Sequence, residues 1–153
     1  MLATKKVLEK KVEDLVRAAC RMKWIQEEVG PTALVFKDGM KIAEEIHMDW
    51  SATGSIDEYR KVMRYTVEDQ CPEAIIIVSE TEGMPFGHSV MAEGLAGKQT
   101  FITFEAASPI ARHEAVFPCI RTLGGVFMGD SGEVSIEAVF GNKLTEGLWK
   151  NAN

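Results

Sequence analysis

Residues 73–89 read EAIIIVSETEGMPFGHS. Ala74, Ile75, Ile76, Ile77 and Val78 run without a polar break, and four of the five are β-branched. That pattern marks a strand covered on both faces, and so a central strand. Ser79 and Glu80 read as its exit from the core. The segment from Thr81 to Lys98 carries no strand signal and reads as an 18-residue connection, several times the usual length of about four to six residues. Its position at the end of the most buried element makes it the first place to look for a site.

Upstream, SIDEYRKVMRYTVEDQ opens with Ser55 and Glu58 at capping-box spacing, and Ile56, Tyr59, Val62, Met63 and Val67 give it one apolar side. Cys71-Pro72 closes that helix. Before it, Asp38-Gly39 is the dipeptide that supplies the positive φ angles of a tight hairpin, joining strands at 32–37 and 40–48. The second strand contains helix formers, but Ile42, Ile46 and Met48 alternate onto one face, shared with Glu44. From Thr4 to about Glu27, residues Leu8, Val12, Leu15, Ala19 and Met22 recur at helical spacing, ended by Gly30-Pro31.

Downstream, QTFITFEA and HEAVFPCIRTL read as strands. VFMGDSGEVSIEAVF reads as a hairpin about Asp130-Ser131-Gly132, and KLTEGLWK as a short helical turn that sets Trp149 on the body. The order α-β-β-α-β-loop-β-β-β-β predicts an α+β fold, a mostly antiparallel sheet with two main helices packed on one face. A partner subunit would then cover the other face of the central strand, so a homodimer is expected. The chain of 153 residues reads as a single domain, 1–153.

A net charge of −6 and a pI of about 5.1 argue against nucleic acid as the main partner, because phosphate binding rests on clustered Lys and Arg. The charge is unevenly spread. Residues 1–24 carry seven bases and three acids, leaving ten bases and twenty acids in the remainder. At 100° per residue Lys6, Lys10, Arg17 and Arg21 fall together opposite the apolar stripe of the first helix. This face is either a solvated helix back, helped by Glu13 and Arg17 at i,i+4, or a docking face for an acidic protein partner. Cys20, Cys71 and Cys119 are odd in number and widely spaced, and they read as reduced core thiols. Neither a signal-peptide core nor a run of roughly 18 apolar residues occurs, so the expectation is cytoplasmic, with no membrane contact.

Two serine motifs fail on inspection. GHSVM has Met91 where a nucleophile elbow needs its second glycine, and GDSGE sits in the expected hairpin turn. AEGLAGK lacks the spacing and terminal Ser or Thr of a phosphate loop. The histidines are better placed for chemistry. His47 and Asp49 project from one strand face, His113 is followed by Glu114, and His88 lies near Glu80 and Glu82. Two histidines and a carboxylate could hold a hydrolytic metal ion. The metal candidates are therefore His47, Asp49, His88 and His113, and the catalytic candidates are Glu80, Glu82 and His88. Against this, no metal motif recognisable by spacing is present, and no cofactor is expected.

The hairpin at Asp38-Gly39, the capped helix, the strand AIIIVSE, the later Ile120-Arg121 and Gly124-Gly125 together resemble a loose group of small uncharacterised bacterial proteins, over roughly residues 31–130. That resemblance implies the order of elements and a bacterial, cytoplasmic setting, and no activity. The leading expectation is a non-catalytic module that self-associates or binds a protein partner. The alternative is a small metal-dependent hydrolase or ligand-binding protein with its site in the 80–98 loop.

Overall fold

A computed structural model describes residues 2–19, 31–47, 56–83, 99–122, 125–128 and 144–149. Its elements run α1 (Lys5–Ala19), β1 (Thr32–Lys37), β2 (Lys41–His47), α2 (Ile56–Gln70), β3 (Ala74–Gly83), β4 (Gln99–Ala107), β5 (Arg112–Thr122) and β6 (Gly125–Met128). Thr4 starts α1, since its hydroxyl accepts the Val7 N–H at 3.4 Å and its carbonyl the Leu8 N–H at 3.0 Å. The described strands form one six-stranded sheet of order β2-β1-β3-β4-β5-β6, antiparallel at every step. Both β2 and β3 flank β1, so they run parallel to each other, and α2 lies on the crossover between them. The α+β class and the antiparallel sheet are as the sequence predicts.

The placement of the helices differs. Leu34 and Phe36 of β1, Ile76 and Val78 of β3, and Ile102 and Phe104 of β4 pack with Leu8, Val12 and Leu15 of α1. Ala33 and Val35 of β1 and Ile75 and Ile77 of β3 pack instead with Tyr59, Met63 and Val67 of α2. The two helices therefore cover opposite faces, not one. The reason is the period of two: an unbroken apolar strand presents apolar side chains to both sides, and each side needs its own cover. Leu144 and Leu148, buried at 1% and 4% exposure, complete the α2 side, with Trp149 packed against them. The second face of the central strand is thus covered by this chain, which removes the argument for a partner subunit there.

Four further expectations are corrected. The strand at 74–78 does not end at Ser79, because β3 continues to Gly83 and pairs with β4 along its whole second half. Ser79 is 1% exposed, and its hydroxyl meets that of Thr103 at 2.8 Å, which satisfies the polar group inside the sheet layer. In β2, Val35 pairs with Glu44 but Phe36 pairs with Ile42, so Ala43 is the extra residue of a bulge. Ile42 and Ile46 consequently do not share a face. Ile46 packs in the α2 cluster, whereas Ile42 stands beside Phe36 on the other side, 47% exposed.

Cys71, expected in the core, is an exposed free thiol. It ends α2 in the left-handed region at φ 47, its N–H donating to the Val67 carbonyl at 3.0 Å, a position that glycine usually takes. Val62, expected on the buried side of α2, is 44% exposed. Cys20, Arg21, Ser55 of the capping box, most of the 80–98 loop and the second strand of the hairpin about 130–132 lie outside the described residues.

Candidate functional site

The histidine and carboxylate candidates do not come together. His47 ends β2, where its Nδ1 lies 3.0 Å from the Thr32 hydroxyl and its Nε2 3.6 Å from Glu45. His113 lies on β5, four strands away across the sheet, a span of roughly 19 Å at the usual strand spacing. The two cannot share an ion. Glu80 is half-buried on β3, paired with Ile102 on the face that α1 covers, and Glu82 pairs with Thr100. Asp49 and His88 lie outside the described residues, and no group of three metal-ligating side chains occurs among the described ones.

A buried carboxylate that the sequence reading missed stands on the other face. Glu105 of β4 is 3% exposed. Its Oε1 accepts the Thr145 N–H at 2.7 Å and the Thr145 hydroxyl at 2.5 Å, and its Oε2 accepts the Leu144 N–H at 3.0 Å. Arg112 closes the group, donating from Nη2 to the Thr145 hydroxyl oxygen at 2.6 Å and lying 3.7 Å from Glu105 Oε1. Burial pushes the Glu105 carboxyl above its ordinary value, opposed by these bonds and by Arg112. Burial, and then the charge of Glu105, likewise raise the Tyr59 phenol. The signal was available in FITFEAA, where one acid interrupts an otherwise uncharged strand buried on both faces.

Beside this group lies a cavity of about 210 Å³ walled by Lys5, Glu105, Ala106, Arg112, His113 and Glu114. Register pairs His113 with Ala106 on the α1 side, and Glu114 with Glu105 on the α2 side. The sheet thus separates the imidazole from the Glu105 carboxylate, and the two cannot act on one substrate as an acid–base pair. His113 faces Glu9 of α1, at 4.0 Å, and burial lowers its pKa against the pull of that carboxylate.

A further recess among the described residues is a groove of about 350 Å³ between α1 and the β1–β2 turn, largely apolar and lined by Lys6, Val7, Lys10, Lys11, Asp14, Gly39 and Met40. Helical spacing brings its α1 residues into one stripe. Lys6 and Lys10, two of the four bases singled out from the sequence, stand on its rim, joined by Lys11. Lys10 pairs with Asp14 at 3.2 Å in an exposed i,i+4 bridge of small energetic value. Lys11 Nζ sits 5.6 Å from the centre of the Phe36 ring. Arg17 is exposed further along the same helix.

The opposite wall of the groove is a turn of three consecutive left-handed residues, Asp38 (φ 52), Gly39 (φ 85) and Met40 (φ 64). Glu73 Oε1 accepts the N–H of Gly39 at 2.7 Å and of Met40 at 3.0 Å, and the Glu73 N–H donates to the Phe36 carbonyl at 2.8 Å. The bond from Met40 is the main cause that holds the Glu73 carboxyl below its usual range. Nothing in the local sequence marks Glu73 for this task, because its partners lie more than thirty residues upstream.

No family model matches this chain, and neither a curated protein nor a solved structure matches it. Among the described residues no helix is long and apolar enough to cross a membrane.

Proposed function

We propose that the chain is a non-catalytic protein-binding module whose partner presents an acidic segment with one apolar side chain, docked between α1 and the β1–β2 turn. The observation that carries this reading is the groove itself, in which apolar Val7 and Met40 stand with Lys6, Lys10, Lys11 and Asp14. Charge complementarity selects acidic partners and speeds their encounter, while the apolar lining supplies burial. The overall charge of −6 disfavours nucleic acid at the same lysines. A bacterial, cytoplasmic setting belongs to the same proposal, its compartment alone supported by the exposed thiol of Cys71, which a reducing environment keeps free. Self-association belongs to it only through the split charge, since a second copy carries the acidic surface that α1 would meet.

The test is fluorescence anisotropy with a labelled peptide of glutamates around one leucine, set against its lysine counterpart and against anionic lipid vesicles. The expected result is binding of the acidic peptide alone, weakened by salt and lowered roughly tenfold or more by Lys6→Glu with Lys10→Glu. Equal binding of both peptides, or binding of vesicles and neither peptide, overturns the proposal. Light scattering over a concentration series tests self-association, which a strict monomer excludes.

A further inference from the structure

The geometry points to Glu73 as a positioning residue for this groove: by accepting the N–H groups of Gly39 and Met40, it holds the left-handed turn that makes Met40 the groove wall. The inference rests on the groove reading above and adds what sets the shape of the site. Asp38 and Met40 adopt φ values of 52 and 64, and Met40 in particular stands in a left-handed conformation that side chains rarely take. Such a turn persists where surrounding contacts over-determine it. The Glu73 carboxylate is one such contact. It meets two consecutive amides with one oxygen, and its own N–H is tied to Phe36 at the base of the hairpin. Met40 is 6% exposed, so its side chain also belongs to the α1-side core. A shift of the turn would therefore move the groove wall and a core residue together.

Charge and shape predict opposite signs, which makes the inference testable. By Coulomb's law alone, removing a carboxylate from behind the turn that lines the groove tightens an acidic ligand. Loss of the turn weakens it. The full chain is titrated with the same labelled acidic peptide as wild type, Glu73→Ala and Glu73→Gln. The alanine variant is expected to bind about tenfold more weakly than wild type. The glutamine variant keeps an acceptor oxygen for both amides and drops the charge, so it is expected to match or exceed wild type.

An alanine variant that binds as tightly as wild type, or more tightly, overturns the positioning role while leaving the groove reading intact. A wild-type chain that does not bind the peptide overturns both. If Glu73→Ala does not fold, Gly39→Ala serves in its place. The added Cβ meets nothing within 4 Å, so this change acts through strain at φ 85, and it must weaken the peptide as well. Unchanged binding by Gly39→Ala overturns the inference.

Discussion

The carboxylate of Glu105 accepts both the backbone N–H of Thr145, at 2.7 Å, and its side-chain hydroxyl, at 2.5 Å, across forty residues of chain. This pair fastens the 144–149 turn over the α2 side of the sheet and brings Leu144 and Leu148 into the core. Thr145→Val keeps the shape but removes the hydroxyl that serves both Glu105 and Arg112. It is expected to lower stability by about 2 kcal/mol in urea denaturation, the range for bonds to a charged group. A change below about 0.5 kcal/mol would show that the leucines and the two backbone bonds to Glu105 hold the turn without the hydroxyl.

The same carboxylate makes stability depend on pH. Burial raises the Glu105 pKa in the folded state, so the fold binds this proton more readily than the unfolded chain does. Its contribution is fully present below the unfolded carboxylate value of about 4.3 and is lost as pH rises through the folded value. Urea midpoints of wild type and Glu105→Gln, compared from about pH 4 to about pH 8, are expected to shift against wild type as pH rises. A difference that stays constant, or that moves toward wild type with rising pH, sinks the assignment.

Ser79 and Thr103 form a hydroxyl pair inside the sheet layer. Ser79→Ala takes one of two partners from the buried Thr103 hydroxyl, which keeps the Ser79 carbonyl at 3.3 Å, and is expected to cost about 1 kcal/mol. Adding Thr103→Val removes both partners and is expected to recover most of that loss, read as a coupling energy in a double-mutant cycle. Simple additivity of the two changes would show that the pair is not a unit.

The end of α2 invites a stabilising change. Cys71 stands exposed at φ 47, so Cys71→Gly relieves the left-handed strain while removing little packing. A gain of about 1 kcal/mol in thermal or urea denaturation is expected. A loss of stability would show that the weak contact of its thiol with the Glu68 carbonyl, at 3.9 Å, outweighs the strain.

The bulge at Ala43 separates two isoleucines that a regular strand would make equivalent. Ile42→Ser is expected to stay within about 0.5 kcal/mol of wild type, and Ile46→Ser to cost about 1–2 kcal/mol. Equal costs, read from urea midpoints, would contradict the register of β2.

Local chemistry was enough to read most elements from sequence. Asp38-Gly39 marks the hairpin because positive φ is inexpensive there, and the spacing of Leu8, Val12 and Leu15 marks α1 because burial demands one stripe. The bases Lys6 and Lys10 of the groove were legible for the same reason, as neighbours on a helix face. Lys11, Met40 and Glu73 were not, because the groove exists only where α1 meets a turn more than twenty residues away. The histidines show the reverse case. Each has carboxylates nearby in sequence, yet His47 and His113 are held apart by the four strand spacings between them.

The sequence by itself determined that Ala74–Val78 is buried on both faces, since four β-branched residues in a row leave no side for water. It could not decide what covers those faces. Two amphipathic helices satisfy the same pattern from one side or from both, and the choice depends on where the β2–α2–β3 crossover carries α2. The tertiary structure places α1 on one face and α2 with Leu144 and Leu148 on the other. That placement sets the basic stripe of α1 against the hairpin turn and so creates the groove.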